Sequence, residues 1–332
     1  MENEKKSKAS FLKSNIFIML IVLVAVIVFF TIMKQEYFTI RNFTNILQAA
    51  STIGLLAIGE TYLIIAGHID LSCANIASLF AVIAAMMITS GIPWGLVMII
   101  VLVCSILAGL ANACLVNVFR LQPFIATLAM SNVFSGMAYL LCDGKPIAIA
   151  EKGFNAMGSI RIAEIPLPAI LMVACFIVFG IILARTVFGR SVYIIGGNPE
   201  AARLAGINPK KVSTILYILC AVISAFAGLL MATKMHSGQP AGGQGSEFDG
   251  ITASILGGVA FTGGTGNLLG CFVGLMVMQC FNNGLTIIQV SSFWQTVCKG
   301  LLLVAALLID YFRSRNVGKV NYKRRAKAAA AA

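Results

Sequence analysis

Apolar runs dominate this chain. They cover residues 15–33, 46–66, 73–90, 94–118, 123–142, 166–184, 212–233, 250–261, 267–285 and 294–312, and each is ended by polar residues or by glycine and proline. Because a helix needs about 20 apolar residues to cross a bilayer, the pattern predicts about ten transmembrane helices with short connections. The eighth run is too short to cross alone. Glycine-rich stretches flank it, Gly238 to Gly250 and Gly257 to Gly266, and together they predict a broken or half-length helix, since non-helical backbone inside a bilayer must be covered by protein or line a cavity. The expected fold class is an all-α polytopic membrane protein. It comprises an N-terminal segment at 1–14, a transmembrane permease domain at 15–312 containing a polar loop at 185–211, and a basic tail at 313–332, of which 327–332 reads as an appended end without functional meaning.

Composition supports this reading. With 59% hydrophobic and 11% charged residues and a mean hydropathy of +0.94, the chain departs far from a soluble domain, where about a quarter of residues are charged. Its net charge of +12 raises nucleic acid as a partner. The basic residues, however, sit between apolar runs without interleaved aromatics, so no nucleic-acid partner is expected. Their distribution instead sets orientation. With both termini inside, seventeen Lys and Arg fall on inner segments and six on outer loops, the asymmetry of a multi-pass membrane protein with cytosolic N and C termini. Residues 16–33 follow a basic stretch but lack a small-residue cleavage site, so they are expected to remain as a first span. The nine cysteines lie in or beside apolar runs without a CxxC pair and read as small packing residues; no metal site is expected.

Two segments carry candidate chemistry. Gly67-His68-Ile69-Asp70-Leu71-Ser72 interrupts two apolar runs with an acid, which is costly there unless it caps a helix, binds a partner or meets water. Asp70 or Ser72 could cap the third span; equally, the segment could touch substrate. Glu60, inside the second span, should be neutral, paired or turned to a polar cavity. Lys299 and Asp310 in the last span are expected to snorkel. The second segment is Gly196-Gly197-Asn198-Pro199-Glu200-Ala201-Ala202-Arg203-Leu204-Ala205-Gly206-Ile207. Asn198 suits a helix N-cap, Pro199 the first turn, Glu200 the positive end and Gly206 the stop. A short capped helix on the inner face is predicted, shaped to dock into another protein. Thr262 to Asn267 is glycine-rich but has no following Lys-Ser/Thr, so no ATP site is expected in this chain. Spans two to five begin outside and seven to ten inside, an order compatible with an inverted repeat; runs two and seven both end in a glycine-containing break with a histidine, at Gly67-His68 and at His236-Ser237-Gly238.

These residues resemble a family, the sugar-type ABC-importer permeases that include ribose, galactose and xylose transporters, within the branched-chain-type permease superfamily. The resemblance covers nearly the whole chain after the first span. It rests on Arg41-Asn42-Phe43, Gly67 to Ser72, the Gly196 to Gly206 loop, Glu247-Phe248-Asp249 with Gly257-Gly258, Asn282-Asn283-Gly284-Leu285 and Ser291-Ser292-Phe293-Trp294-Gln295. It implies a homodimeric permease that engages a cytosolic ABC ATPase through Gly197, Asn198, Pro199, Glu200, Ala201, Ala202, Arg203 and Gly206. It also implies a sugar received from an extracytoplasmic binding protein and ATP bound by the partner subunit, with no cofactor in this chain. The expected substrate pathway comprises Glu60, Gly67, His68, Asp70, Ser72, Asn282 and Asn283. His68 stands where the family usually has glycine, and Cys73-Ala74 where it usually has Val-Gly. These departures narrow the break and leave open a pentose, hexose, polyol, nucleoside or sugar-like signal molecule.

Two other classes compete. An ion-coupled secondary transporter would use Glu60, His68 and Asp70 as a proton relay, but such a machine has no need of a docking helix. An intramembrane enzyme would need a nucleophile paired to His68 or His236, and no such motif is present.

Overall fold

The computed structural model describes residues 15–329. The expected cytosolic segment 1–14, with its lysines, and the final alanines 330–332 lie outside the described residues. In chain order the helices are α1 (Asn15–Met33), α2 (Ile40–Ile65), α3 (Cys73–Thr89), α4 (Trp94–Asn117), α5 (Pro123–Leu141), α6 (Lys152–Ser159) and α7 (Leu167–Arg185). They continue with α8 (Val187–Gly197), α9 (Pro199–Leu204), α10 (Pro209–Met235), α11 (Ser246–Leu256), α12 (Leu268–Ile287) and α13 (Ser292–Ala329). Every apolar run has its helix, and the chain is an all-α polytopic membrane protein. Eight of the helices are long and apolar enough to cross a bilayer. The other two runs became α3, of 17 residues, and α11, of 11, and both follow a break.

Capping residues rather than hydropathy set several starts. Thr39 accepts a hydrogen bond from Asn42 N, so α2 begins before its apolar run and takes Arg41, Asn42 and Phe43 into its first turns. Asn208 accepts from Lys211 N ahead of Pro209, and Asn267 from Gly270 N. The eighth run is shifted toward the N-terminus, because Glu247 and Asp249 are buried inside α11 and the chain turns at Gly258, whose φ is +92°.

At the centre, α2 and α10 have 83% and 72% of their span residues buried, whereas the corresponding figure for α1 and for α13 is 6%. The two central helices run antiparallel: Lys234 near the end of α10 reaches Gln48 near the start of α2. Around them the packing is crossed. The helix after the first break, α3, packs on α10, and the helix after the second, α11, packs on α2, the exchange an inverted pair requires. Small residues permit it, as small residues do between membrane helices. Gly228 lies so close to α3 that an added Cβ would stand 2.0 Å from Ala77 O.

Loops expected on one side meet on one face. The two-residue strands β1 (Ile147–Ala148) and β4 (Ser237–Gly238) pair antiparallel, with Ile147 opposite Gly238. A second small pair joins β2 (Arg161–Ile162) to β3 (Ile165–Pro166). Between them α6 lies against the end of α10, and Gln48 Nε2 donates to Gly158 O. The opposite face carries α9, with Arg120, Arg203 and Lys210 lining one cavity beside it.

Candidate functional site

The break between α2 and α3 is a closed polar centre. Asp70 is fully buried, and its carboxylate accepts from Ser72 N at 2.8 Å, from Ser72 Oγ at 2.6 Å and from Asn112 Nδ2 at 3.1 Å. Asn112 Nδ2 also donates to Ser72 Oγ at 2.7 Å, and Leu71 N donates to Thr127 Oγ1. Thus α4 and α5 hold the break in place. Neither side chain caps α3: Ser72 occupies the cap position with helical backbone angles, and its hydroxyl is committed to Asp70. The capping expectation is corrected accordingly: the backbone of Ser72 is helical rather than extended, and its oxygen accepts from Asn112 Nδ2 instead of from the first N–H groups of α3.

Glu60 is fully buried one step away. Its Oε2 accepts from Asp70 N at 3.5 Å, and its Oε1 has no hydrogen-bond partner. His68 Nδ1 lies 3.3 Å from Tyr217 Oη, with the rings edge to face. Gly67 is exposed with φ +79°, a turn that glycine makes without strain. Glu60, Asp70 and Ser72 thus meet in one network while His68 turns to Tyr217, and the organisers of that network, Asn112 and Thr127, come from other helices and carry no local signal.

Asn282 and Asn283 belong to a different place. Gly257, just after α11, sits on Gly270 of α12, and Ala253 on Gly274; continuing that antiparallel register brings Asn282 to the level of Gly245. On these two helices Glu247 Oε2 of α11 and Gln279 Nε2, Asn282 Oδ1 and Asn283 Oδ1 of α12 are buried without hydrogen-bond partners. Three acceptors and a donor, all unspent, suit water or the hydroxyls of a neutral ligand. Gln279 and Glu247 were not among the expected pathway residues, since neither stands out within an apolar run.

Lys299 does not snorkel. It lies near the start of α13, far from Asp310, and its Nζ makes an ion pair with Asp249 Oδ2 of α11 at 2.8 Å. A partner fifty residues away outweighs the pull toward the interface. Asp310 is also satisfied inside, accepting from Phe261 N at 3.1 Å. Lys234, at the end of α10, donates to Gln48 O, Ser51 Oγ and Thr52 Oγ1.

The short helix α9 has the local geometry its sequence predicts. Asn198 Oδ1 accepts from Glu200 N and Ala201 N, Pro199 opens the helix, and Gly206 leaves it at φ +80°. Ala202 is buried, whereas Leu204 is 91% exposed and the side chains of Glu200 and Arg203 face outward. Just before α9, Gly196 is pressed onto the end of α2: an added Cβ would lie 1.7 Å from Ile65 O and 2.6 Å from Gly264 N. Gly264 N in turn donates to Ile65 O.

A family model described as "Branched-chain amino acid transport system / permease component" matches residues 42–307. The chain belongs to this family. Among its relatives, the ribose import permease protein of Bacillus subtilis (strain 168) is 37% identical over 300 residues, covering 90% of this chain and 92% of that protein. The ribose import permease protein of Escherichia coli (strain K12) is 32% identical over 308 residues, covering 92% and 95%. The L-arabinose transport system permease protein of the same strain is 33% identical over 309 residues, covering 90% of each. No solved structure matches the chain. The matched region contains both breaks, the polar groups of α11 and α12 and the α9 helix.

Proposed function

We propose that this chain is the permease subunit of a binding-protein-dependent ABC importer for a monosaccharide of the ribose or arabinose kind. The observation that carries the reading is the similarity to ribose and arabinose permeases over about nine-tenths of both partners. The unspent polar atoms of Glu247, Gln279, Asn282 and Asn283 support it, since a neutral sugar offers hydroxyls that both donate and accept. Two copies form the working unit in the bacterial inner membrane, with termini in the cytosol, as the Lys and Arg distribution favours. A cytosolic ATPase docks on α9 and its flanking residues Gly197 to Gly206, and an extracytoplasmic binding protein delivers sugar to the opposite face.

Substrate moves inward when the ATPase partner binds and hydrolyses ATP; the permease supplies the path and the lever. Its contact between Gly196, at the end of α8, and Ile65 joins the segment that leads into the docking helix to α2. The test is reconstitution of the chain with the ATPase and binding protein encoded beside it, followed by uptake of labelled ribose and arabinose. ATP-dependent accumulation of one of them is expected. Proton-driven uptake by the chain alone would overturn the reading.

A further inference from the structure

Inside the apolar span Ser292–Phe312, a charged side chain turned to lipid would be expensive. Yet the Lys299 side chain is 38% exposed where it meets Asp249. The pair borders a cavity of about 350 Å³ between α11 and α13, lined also by Gln244, Ser246, Thr252 and Thr296. Next to it the backbone is not helical: Gln244 and Gly245 are exposed, and Gly243 N donates to Ser78 Oγ within α3. That contact places the segment alongside a membrane helix rather than beyond its end. Exposed non-helical backbone and a half-exposed lysine paired to a buried carboxylate do not fit against acyl chains; such groups occur where they line water.

We propose that this cavity is a water-accessible subsite for the transported sugar, with Asp249 and Lys299 gripping neighbouring hydroxyls. The proposal rests on the sugar-importer reading above. Its chemistry follows from the lining. The ion pair cancels its own charge, so the site selects a neutral ligand over an ion. Asp249 accepts from one hydroxyl through its free oxygen, while Lys299 donates its remaining N–H groups to the next; Gln244 supplies a further neutral donor and acceptor, and the hydroxyls of Thr252 and Thr296, whose protons go to Phe248 O and Ser292 O, can accept. The volume lies near the lower end of the range of small-molecule sites, about 300–1,000 Å³.

The experiment has two arms. In membranes, Thr296→Cys and Thr252→Cys, each in a Cys298→Ser background, are treated with a membrane-impermeant thiol reagent and, separately, with a lipid-soluble one. Labelling by the aqueous reagent, slowed several-fold by whichever of ribose or arabinose the wild-type complex takes up, is the expected result. Labelling only from the lipid phase, labelling by neither reagent, or aqueous labelling that the sugar leaves unchanged would each overturn the subsite.

The second arm compares wild type with the double variant Asp249→Asn/Lys299→Gln, which keeps a hydrogen-bonding pair and removes both charges. A subsite predicts KM for uptake raised about tenfold at similar membrane levels; a purely structural pair predicts an unchanged KM. If the wild-type complex takes up neither sugar, the sugar-importer reading fails and the subsite falls with it. The aqueous labelling, which needs no transport, still reports separately whether the cavity holds water.

Discussion

The two breaks in the fold, each following one of the central helices α2 and α10, are finished differently. The first, between α2 and α3, is tied into a network: Asp70 accepts from Ser72 and Asn112, and Thr127 from Leu71 N, while Glu60 Oε1 and Asn112 Oδ1 stay without partners. The second, between α10 and α11, leads through exposed backbone at Gln244 and Gly245 to a half-exposed lysine paired to a buried carboxylate and to buried amides without partners. The first break is tied down by side chains from neighbouring helices, and the second keeps exposed backbone beside its ion pair. Breaks that follow the two central helices thus need not share a task; where the polar groups are bonded to neighbouring helices a break holds the fold, and where backbone and side chains stay open it faces water or substrate.

The largest expected effect is at the closed break. Asp70→Ala removes the acceptor of three buried donors, and each donor left unpaired costs about 1–3 kcal/mol. Thermal unfolding of the purified chain in detergent should fall sharply, and folded yield should fall with it. Full stability with uptake abolished would transfer the first break from scaffold to pathway and erase the contrast. The next effect concerns how the second half is assembled. Gly270→Ala would put a Cβ 2.1 Å from Gly257 O, so α11 must shift from α12, at a cost of about 1–3 kcal/mol, as for other overpacked sites. Both stability and uptake should drop, and unfolding curves beside uptake assays would show it. A neutral outcome would mean that the seam is looser than the contact between these glycines implies.

A smaller effect on the fold is expected where polar atoms are unspent. Gln279→Met and Asn283→Leu remove polar groups that satisfy nothing and keep most of the buried volume, so stability should stay within about 1.5 kcal/mol of wild type. Uptake should still weaken: one neutral hydrogen bond is worth about 1 kcal/mol, or about fivefold in KM. Stability loss equal to that of Asp70→Ala would show that these amides are structural partners, and the two breaks would then no longer differ.

Legibility followed the distance over which each feature is built. The α9 helix was readable because its cap, proline and stop lie within Asn198 to Gly206, and the ten helices because hydropathy is a local sum. The start of α2 was misjudged by six residues, since Thr39 caps a polar first turn that an apolar pattern cannot see. The breaks were visible as breaks, but what finishes them was not. Asn112 joins Asp70 across forty-two residues and Lys299 joins Asp249 across fifty, and nothing in either segment names the other. Hence Glu60, Asp70 and Ser72 were rightly grouped, Asn282 and Asn283 belonged to a separate level, and Lys299 was assigned to the interface when it is paired inside.

The smallest expected effect on the fold, and the most selective effect on transport, lies at α9, whose lead-in at the end of α8 touches both halves. Gly196 presses on Ile65 at the end of the first broken helix, and Gly264, beyond the second, packs on Gly197. A push on α9 is therefore delivered to both breaks at once. Glu200→Lys replaces a carboxylate at the positive end of a short helix, where it is worth about 0.3–1 kcal/mol at most, and Leu204→Asp alters a side chain that is 91% exposed. Neither change touches a buried group, so membrane insertion and unfolding temperature should remain close to wild type. If α9 is where the ATPase docks, both variants should lose co-purifying ATPase, and uptake and sugar-stimulated ATP hydrolysis should decline in step, because the lever has lost its hand. Retained ATPase binding with lost uptake would place the fault after docking, in the glycine contacts that join α9 to the two breaks. Normal binding and normal uptake in both variants would remove α9 from the coupling path, and the closed and open breaks would then need another element to connect them.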